Sequence, residues 1–264
     1  MLSNVFLKTL RDWRRAMLWW CIGLAAMALW VIVLYPTLGD SGMYEDLVEQ
    51  LSSSYAAFID AEDLGSPEGY LQSEVFFFMA PLLLMVLTVG FGGGTIVREE
   101  EQGTLDLLMS TPLARWRLVL EKAAAMVLIA VVAALALWLG LVIGAAIAGV
   151  DISLVRMLEA SLSCVLLGLT FGALALALAC ITGKRGLSIG VAAGLGIVAF
   201  FLNGFGASIE MLEPYRILSP FYYYSAAQPL MNGLSLGHAG VLLGLIVLLL
   251  GAALIAFQRR DLVV

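Results

Sequence analysis

The stretch AGVLLGLIVLLLGAALIAF at residues 239–257 decides the fold class. Twelve of its 19 residues are Leu, Ile, Val or Phe, and none is charged. A helix crosses a bilayer with about 20 mostly apolar residues, and twelve such side chains favour insertion by about 4–7 kcal/mol. Outward from this stretch, five others have the same character: 17–35, 75–97, 118–149, 158–181 and 187–205, none with a charge near its centre. The whole chain of 264 residues is 62% apolar and 13% charged, with a mean hydropathy of +0.99. A soluble domain is about 45–50% apolar and about 25% charged, and a globule of this size cannot hide the excess from water. Composition therefore excludes a soluble enzyme, a nucleic-acid binder and a disordered chain, and the net charge of −6 agrees with the second exclusion. It predicts an all-α integral membrane protein of six transmembrane helices, forming a single domain over 1–264.

The first stretch reads as a retained span. Its apolar region is too long for a cleaved signal, and Tyr35-Pro36-Thr37-Leu38 offers no small-x-small cleavage site. Cys21, Cys164 and Cys180 all lie inside apolar stretches and read as small buried hydrophobes, with no disulfide or metal spacing.

The basic residues set the orientation. Lys8, Arg11, Arg14 and Arg15 precede span one; Arg98, Arg115, Arg117 and Lys122 fall between spans two and three; Lys184 and Arg185 between four and five; Arg259 and Arg260 after six. Only Arg156 and Arg216 fall on the other side, out of 14 basic residues. The positive-inside rule makes the rich side cytoplasmic. Both termini are then cytoplasmic, which requires an even number of spans. Acidic residues sort the opposite way. The outer loop 36–74 carries Asp and Glu with no Lys or Arg. Within it Met43, Leu47, Leu51 and Tyr55 recur every four residues, the period of an amphipathic helix. It reads as a surface helix at the bilayer, or as a gating or partner-binding element.

The cytoplasmic loop 98–117 has three parts. Arg98 to Glu101 is a charged cluster; Thr104 to Met109 is a short amphipathic piece with Leu105, Leu108 and Met109 on one side; Ser110 or Thr111 before Pro112 is a helix start, a cap followed by proline at the first helical position. Physics alone leaves two readings open: a solvated connector, or a rigid docking element for a soluble partner. The run Glu-Glu-x-Gly-Thr-Leu-Asp-Leu-Leu-x-Ser-x-Pro at 100–112 resembles the signature of type-2 ABC-transporter permeases. The N-terminal basic segment resembles that family's interfacial helix (1–16). Gly65-Ser66-Pro67-Glu68-Gly69-Tyr70-Leu71 before span two and Phe257-Gln258-Arg259-Arg260-Asp261-Leu262 at the end are similar to other members.

The resemblance covers essentially the whole chain and implies a concrete arrangement. Two copies pair, a homodimer being expected, and the loop between spans two and three forms a coupling helix that docks on an ATP-binding subunit, also present in two copies. By this resemblance Gly103, Thr104, Leu105, Asp106, Leu107 and Leu108 sit at that contact. Charge adds that Glu100 and Glu101 hold the loop against the N-terminal helix through Arg11, Arg14 or Arg15. In similar permeases spans two and five line the pathway. Phe77, Phe78 and Met85 of span two and Phe201, Asn203 and Phe205 of span five are then its candidate wall, the alternative being lipid-facing or packing aromatics. Asn203, the one amide in span five, should face protein or substrate. Tyr222-Tyr223-Tyr224, in an outer loop 206–238 expected to hold short helices, reads as an aromatic belt anchor or part of an outer gate.

The chain is not expected to be an enzyme. Thr182-Gly183-Lys184-Arg185 lacks the Ser or Thr and the first glycine of a P-loop. ATP and Mg are expected in the partner subunit, with no cofactor or metal on this chain. Gly186-Leu187-Ser188-Ile189-Gly190 and Gly233-Leu234-Ser235-Leu236-Gly237 match the nucleophile-elbow pattern only by chance, since neither follows a strand. Ion coupling ordinarily needs a mid-membrane ionisable group. Glu121, Lys122, Glu159 and the single histidine, His238, lie only at span ends. The expected function is the membrane permease of an ATP-driven ABC exporter in the cell (inner) membrane, effluxing an amphipathic or hydrophobic substrate by alternating access. A non-transporting membrane anchor or assembly protein and an ion-coupled secondary transporter are the alternatives. Glycine pairs four apart (Gly90/Gly94, Gly140/Gly144, Gly168/Gly172, Gly190/Gly194) allow close helix approach without specifying which helices touch.

Overall fold

A chain in hydrocarbon must satisfy its backbone internally, and helices do so segment by segment. The computed structural model describes residues 4–39, 66–104, 114–206, 209, 211–226 and 228–260. Among them all regular structure is helical, with six helices long and apolar enough to cross a membrane. Helix α1 (Val5–Gly39) runs from the N-terminal basic segment into span one without a break. Span two is composite: α2 (Pro67–Leu71), a π-helix (Gln72–Met79) and α3 (Ala80–Gly94). A turn leads to short α4 (Val97–Glu101). Then come α5 (Arg115–Ala148), α6 (Leu154–Thr182) and α7 (Arg185–Gly206). A 3-10 helix (Glu213–Leu218), α8 (Pro220–Ser225) and α9 (Pro229–Asn232) precede the last span, α10 (Leu236–Arg259).

Helix α6 is the axis of the bundle. It packs against α3, α5, α7 and α10, while α1 lies along α5. It is the most enclosed of the six spans, and α1 and α10 are the least. Trp19, Trp30, Leu139, Val198 and Val247 are exposed, an inversion of soluble packing that suits a lipid solvent. The seams rest on glycine. A Cβ on Gly140 or Gly144 would strike Ala25 or Ile32 of α1, so these glycines let α1 and α5 approach closely. Gly168 and Gly172 do the same for α6 against Leu84 and Thr88 of α3, where Thr88 Oγ1 also donates to the Gly168 carbonyl at 2.6 Å. Around Gly90, Gly190 and Gly194 a Cβ would meet nothing within 4 Å.

The two ends of the bundle differ. One, the basic end, gathers Lys8, Arg98, Arg115, Lys122, Arg185 and Arg260 around the start of α1, the end of α3 and the end of α10. There α6 stops at Gly183, whose φ of +62° favours glycine. A side chain at Gly183 would also collide with the Arg260 guanidinium. The segment Thr182-Gly183-Lys184-Arg185 is thus the turn joining α6 to α7. Ala114 is extended (φ −65°, ψ 136°), so α5 starts at Arg115 rather than at the expected Pro112. Arg115 ties the start of α5 to the end of α10, donating to the Arg260 carbonyl at 2.8 Å. Ser110, Thr111 and Pro112 themselves lie outside the described residues, as does the amphipathic run Met43, Leu47, Leu51 and Tyr55 of the outer loop.

At the opposite end the 3-10 helix, α8 and α9 fold back onto the spans. Ser219 accepts from the Phe221 amide at 3.2 Å as the cap of α8, and donates to the Ala199 carbonyl of α7 at 2.7 Å. Tyr224 departs from the expected belt anchor. It is buried and donates to the Phe76 carbonyl at 2.6 Å, with the Cys164 sulfur 3.0 Å from the same hydroxyl. The π-helix explains this. Ala80 N–H bonds back five residues to Val75; the next donor in that register is residue 81, and Pro81 has no N–H. The Phe76 carbonyl is left for Tyr224. Tyr224→Phe is expected to cost about 1 kcal/mol in the detergent-solubilised chain, read as a lower thermal midpoint. Tyr222 and Tyr223 instead place their rings 6.3 and 5.9 Å from that of His238. Cys164 and Cys180 are buried as expected, whereas Cys21 is half-buried.

Candidate functional site

Two features gather the residues singled out in the sequence. The first is the basic end around α4. Ile96 and Val97 are buried, and Ile96 joins an apolar cluster with Val5 of α1, Leu118 and Val119 of α5, Leu176 of α6 and Phe257 of α10. That cluster fixes the start of α4 against four spans. Ion pairs then fix its charged face. Glu99 is buried and bonds the buried Lys122 of α5, and its second oxygen lies 3.3 Å from Lys8 of α1. Glu100 pairs with Arg260 at 2.7 Å. Thr104 Oγ1 donates to the Glu99 carbonyl at 3.2 Å, folding the chain back after Gly103, whose φ is +65°.

This arrangement corrects the expected pairing. Glu99, not Glu100 or Glu101, meets the N-terminal helix, and it does so through Lys8. Arg11, Arg14 and Arg15 are exposed and enter no ion pair among the described residues. The reason is helical phase: Lys8 shares the inward face of α1 with buried Val5 and Thr9, whereas Arg11, Arg14 and Arg15 point outward. Glu100 instead reaches the end of α10, and Glu101 is exposed. The start of α1 is itself held by α5. Glu121 accepts from the Phe6 amide at 3.0 Å and pairs with Arg117 at 2.7 Å, a carboxylate placed at a helix N-terminus. Glu99 with Lys8 and Lys122, and Glu100 with Arg260, thus form the anchor, and of these only the two glutamates stood out in the sequence as part of a charged cluster. Leu105, Asp106, Leu107 and Leu108 lie outside the described residues. Glu100, Glu101, Gly103 and Thr104 lead into them.

The second feature is an aromatic face between span two and span five. Phe77 and Phe78 lie 5.6 and 5.7 Å from Phe200, ring centre to ring centre. Phe200 lies edge-on to Phe201 at 5.6 Å and to Phe221 at 5.4 Å. Phe201 and Phe205 stack at 5.7 Å. Phe78, Phe201 and Phe205 are each about half exposed, at 47%, 46% and 45%, and the less exposed Phe77 joins them through Phe200, so four of the six candidate wall residues belong to one aromatic face. The other two do not. Met85 is buried, its sulfur against Gly196 of α7. Asn203 is buried and donates to Ser225 Oγ at 3.0 Å, facing protein rather than lipid; its carbonyl oxygen has no partner among the described residues. Among the described residues no group of His, Cys, Asp and Glu could hold a metal ion.

The comparisons with known proteins bear on the whole chain. A family model described as ABC-2 family transporter protein matches residues 3–262. No curated protein matches the chain.

Proposed function

The chain belongs to the ABC-2 transporter family, and from that premise we propose that it is the permease of an ATP-driven exporter, coupled to its ATP-binding subunits through α4 and the segment that follows. As a multi-pass membrane component of that family it associates with an ATP-binding subunit and is not itself the catalyst. The basic end faces the cytoplasm, by the excess of Lys and Arg there. Two copies of the chain pair, and an amphipathic or hydrophobic substrate leaves the cytoplasm by alternating access along the aromatic face of Phe78, Phe201 and Phe205.

The anchoring of α4 is the observation that carries this reading. Residues 97–104 are tied to α1 by Lys8, to α5 by Lys122 and to α10 by Arg260. A partner that displaces the segment after Gly103 therefore moves the ends of three spans together. A solvated connector would need no such ties. ATP and Mg stay in the partner, and this chain contributes the lever.

Charge reversal tests it. In vesicles holding the permease with its ATP-binding subunit, Glu100→Arg is expected to lower substrate efflux several-fold while ATP hydrolysis continues. The exchange Glu100→Arg with Arg260→Glu is expected to restore most of it. Full efflux by Glu100→Arg refutes the coupling role. A chain that supports no nucleotide-dependent efflux at all favours the anchor reading.

A further inference from the structure

A cavity of about 380 Å³ opens at the basic end between α1, α3, α4, α5 and α7, a volume within the range of ligand sites. Four cations line it (Lys8, Arg98, Lys122 and Arg185) against two carboxylates, Asp12 and Glu99. Glu99 engages both lysines. Arg98 and Arg185 are exposed and take part in no ion pair among the described residues. Arg185 lies across Gly94, where a Cβ would come within 3.2 Å of its Nε. In the same wall Thr95 is only 5% exposed, and its hydroxyl has no partner among the described residues. A buried hydroxyl without a partner is costly unless something fills the role.

We propose that this cavity binds a phosphate ester anion, held by Arg98 and Arg185 and bonded by Thr95. Guanidinium groups suit phosphate because their donors match its oxygens in pairs. The cavity sits where apolar spans give way to charge, the depth of lipid headgroups, and Trp13 in its wall is a residue type enriched at that depth. Basic pockets between spans at such a level recognise anionic headgroups. The ion pairs tie α4 to α1, α5 and α10 but not to α7. A phosphate between Arg98 and Arg185 supplies that fourth tie, so occupancy would stiffen the lever. The inference needs only a membrane-spanning chain and not ATP-driven export, so it can fail or stand independently of the reading above.

Purified chain, without nucleotide or partner, is titrated by native mass spectrometry with phosphatidylglycerol, with phosphatidylcholine as the neutral reference and glycerol phosphate as the soluble probe. One phosphatidylglycerol is expected to be retained per chain in preference to phosphatidylcholine. Arg98→Gln with Arg185→Gln is expected to weaken retention by roughly tenfold or more, and Thr95→Val by several-fold. Arg14→Gln with Arg259→Gln removes the same charge from the same end outside the cavity and is expected to change nothing. Matched thermal midpoints exclude misfolding of the cavity variants. Glycerol phosphate binding with the same arginine dependence, uncontested by phosphatidylglycerol, supports the site with a soluble phosphate as its ligand. Equal losses in the two double variants indicate diffuse surface attraction and overturn the proposal, as does retention of neither probe.

Discussion

Lys122→Met is expected to destabilise the detergent-solubilised chain by about 3–5 kcal/mol, the range found when one partner of a buried ion pair is removed. Lys122 is 3% exposed and Glu99 is 7% exposed. Methionine keeps the length and apolar stem of the side chain, so the loss arises from a carboxylate left in a poorly solvated site with Lys8 alone, 3.3 Å away on one side. The double variant Glu99→Gln with Lys122→Met removes both charges and is expected to regain most of the loss, because a neutral pair carries a far smaller desolvation cost. Thermal unfolding of the three forms measures this. Equal destabilisation of single and double variants would mean that packing, not charge, is what the site supplies. In vesicles the double variant separates fold from function: it should be stable yet poorly coupled, since α4 loses its ion-pair tie to α1 and α5.

Gly92→Val is expected to cost about 3 kcal/mol, the upper part of the range for overpacking. A Cβ on Gly92 would strike the Gly172 carbonyl oxygen, with the Leu176 amide nitrogen at 3.2 Å. Both obstacles are backbone of the central helix α6, so no side chain can rotate away. Separating α3 from α6 would also stretch the bond from Thr88 Oγ1 to the Gly168 carbonyl, now 2.6 Å. Gly244→Val on α10 is the control, since nothing lies within 4 Å of its Cβ position, and it is expected to leave the thermal midpoint near that of the parent. A comparable drop in both variants would mean that glycine acts here through helix propensity and not through the seam.

The glycines show how far the sequence could be read. Gly140/Gly144, Gly168/Gly172 and Gly190/Gly194 are the same pattern on paper. In the fold the first two pairs press against α1 and α3, and the third faces open space. Spacing records that a close approach is permitted; which helix accepts it depends on how six helices rotate and pair, and that is settled by the whole bundle at once. Lys122 makes the same point in charge. By hydropathy it is a span-end residue. Helix α5 begins at Arg115, so Lys122 lies two turns in, on the face that also buries Leu118, Val119 and Met126. Its partner, Glu99, is 23 positions away in sequence. Tyr224 misled for a related reason: a tyrosine triplet outside a span has the composition of an interfacial belt, and only the missing N–H of Pro81 creates the carbonyl that draws one of the three inward.

By itself the sequence determined six membrane-crossing helices, the gathering of basic residues at one end, and the resemblance at 100–112 that agrees with the family of the chain. These are local quantities, because transfer of a segment into lipid depends on its own residues and on loops next to it. Tertiary structure alone decided which helix is central, which glycines are seams, and that α4 is held by Lys8, Lys122 and Arg260 rather than by Arg11, Arg14 or Arg15. Those are pairwise quantities. A charge or a gap acquires its meaning only from the residue brought opposite to it, and in a bundle that residue is chosen by packing across the chain.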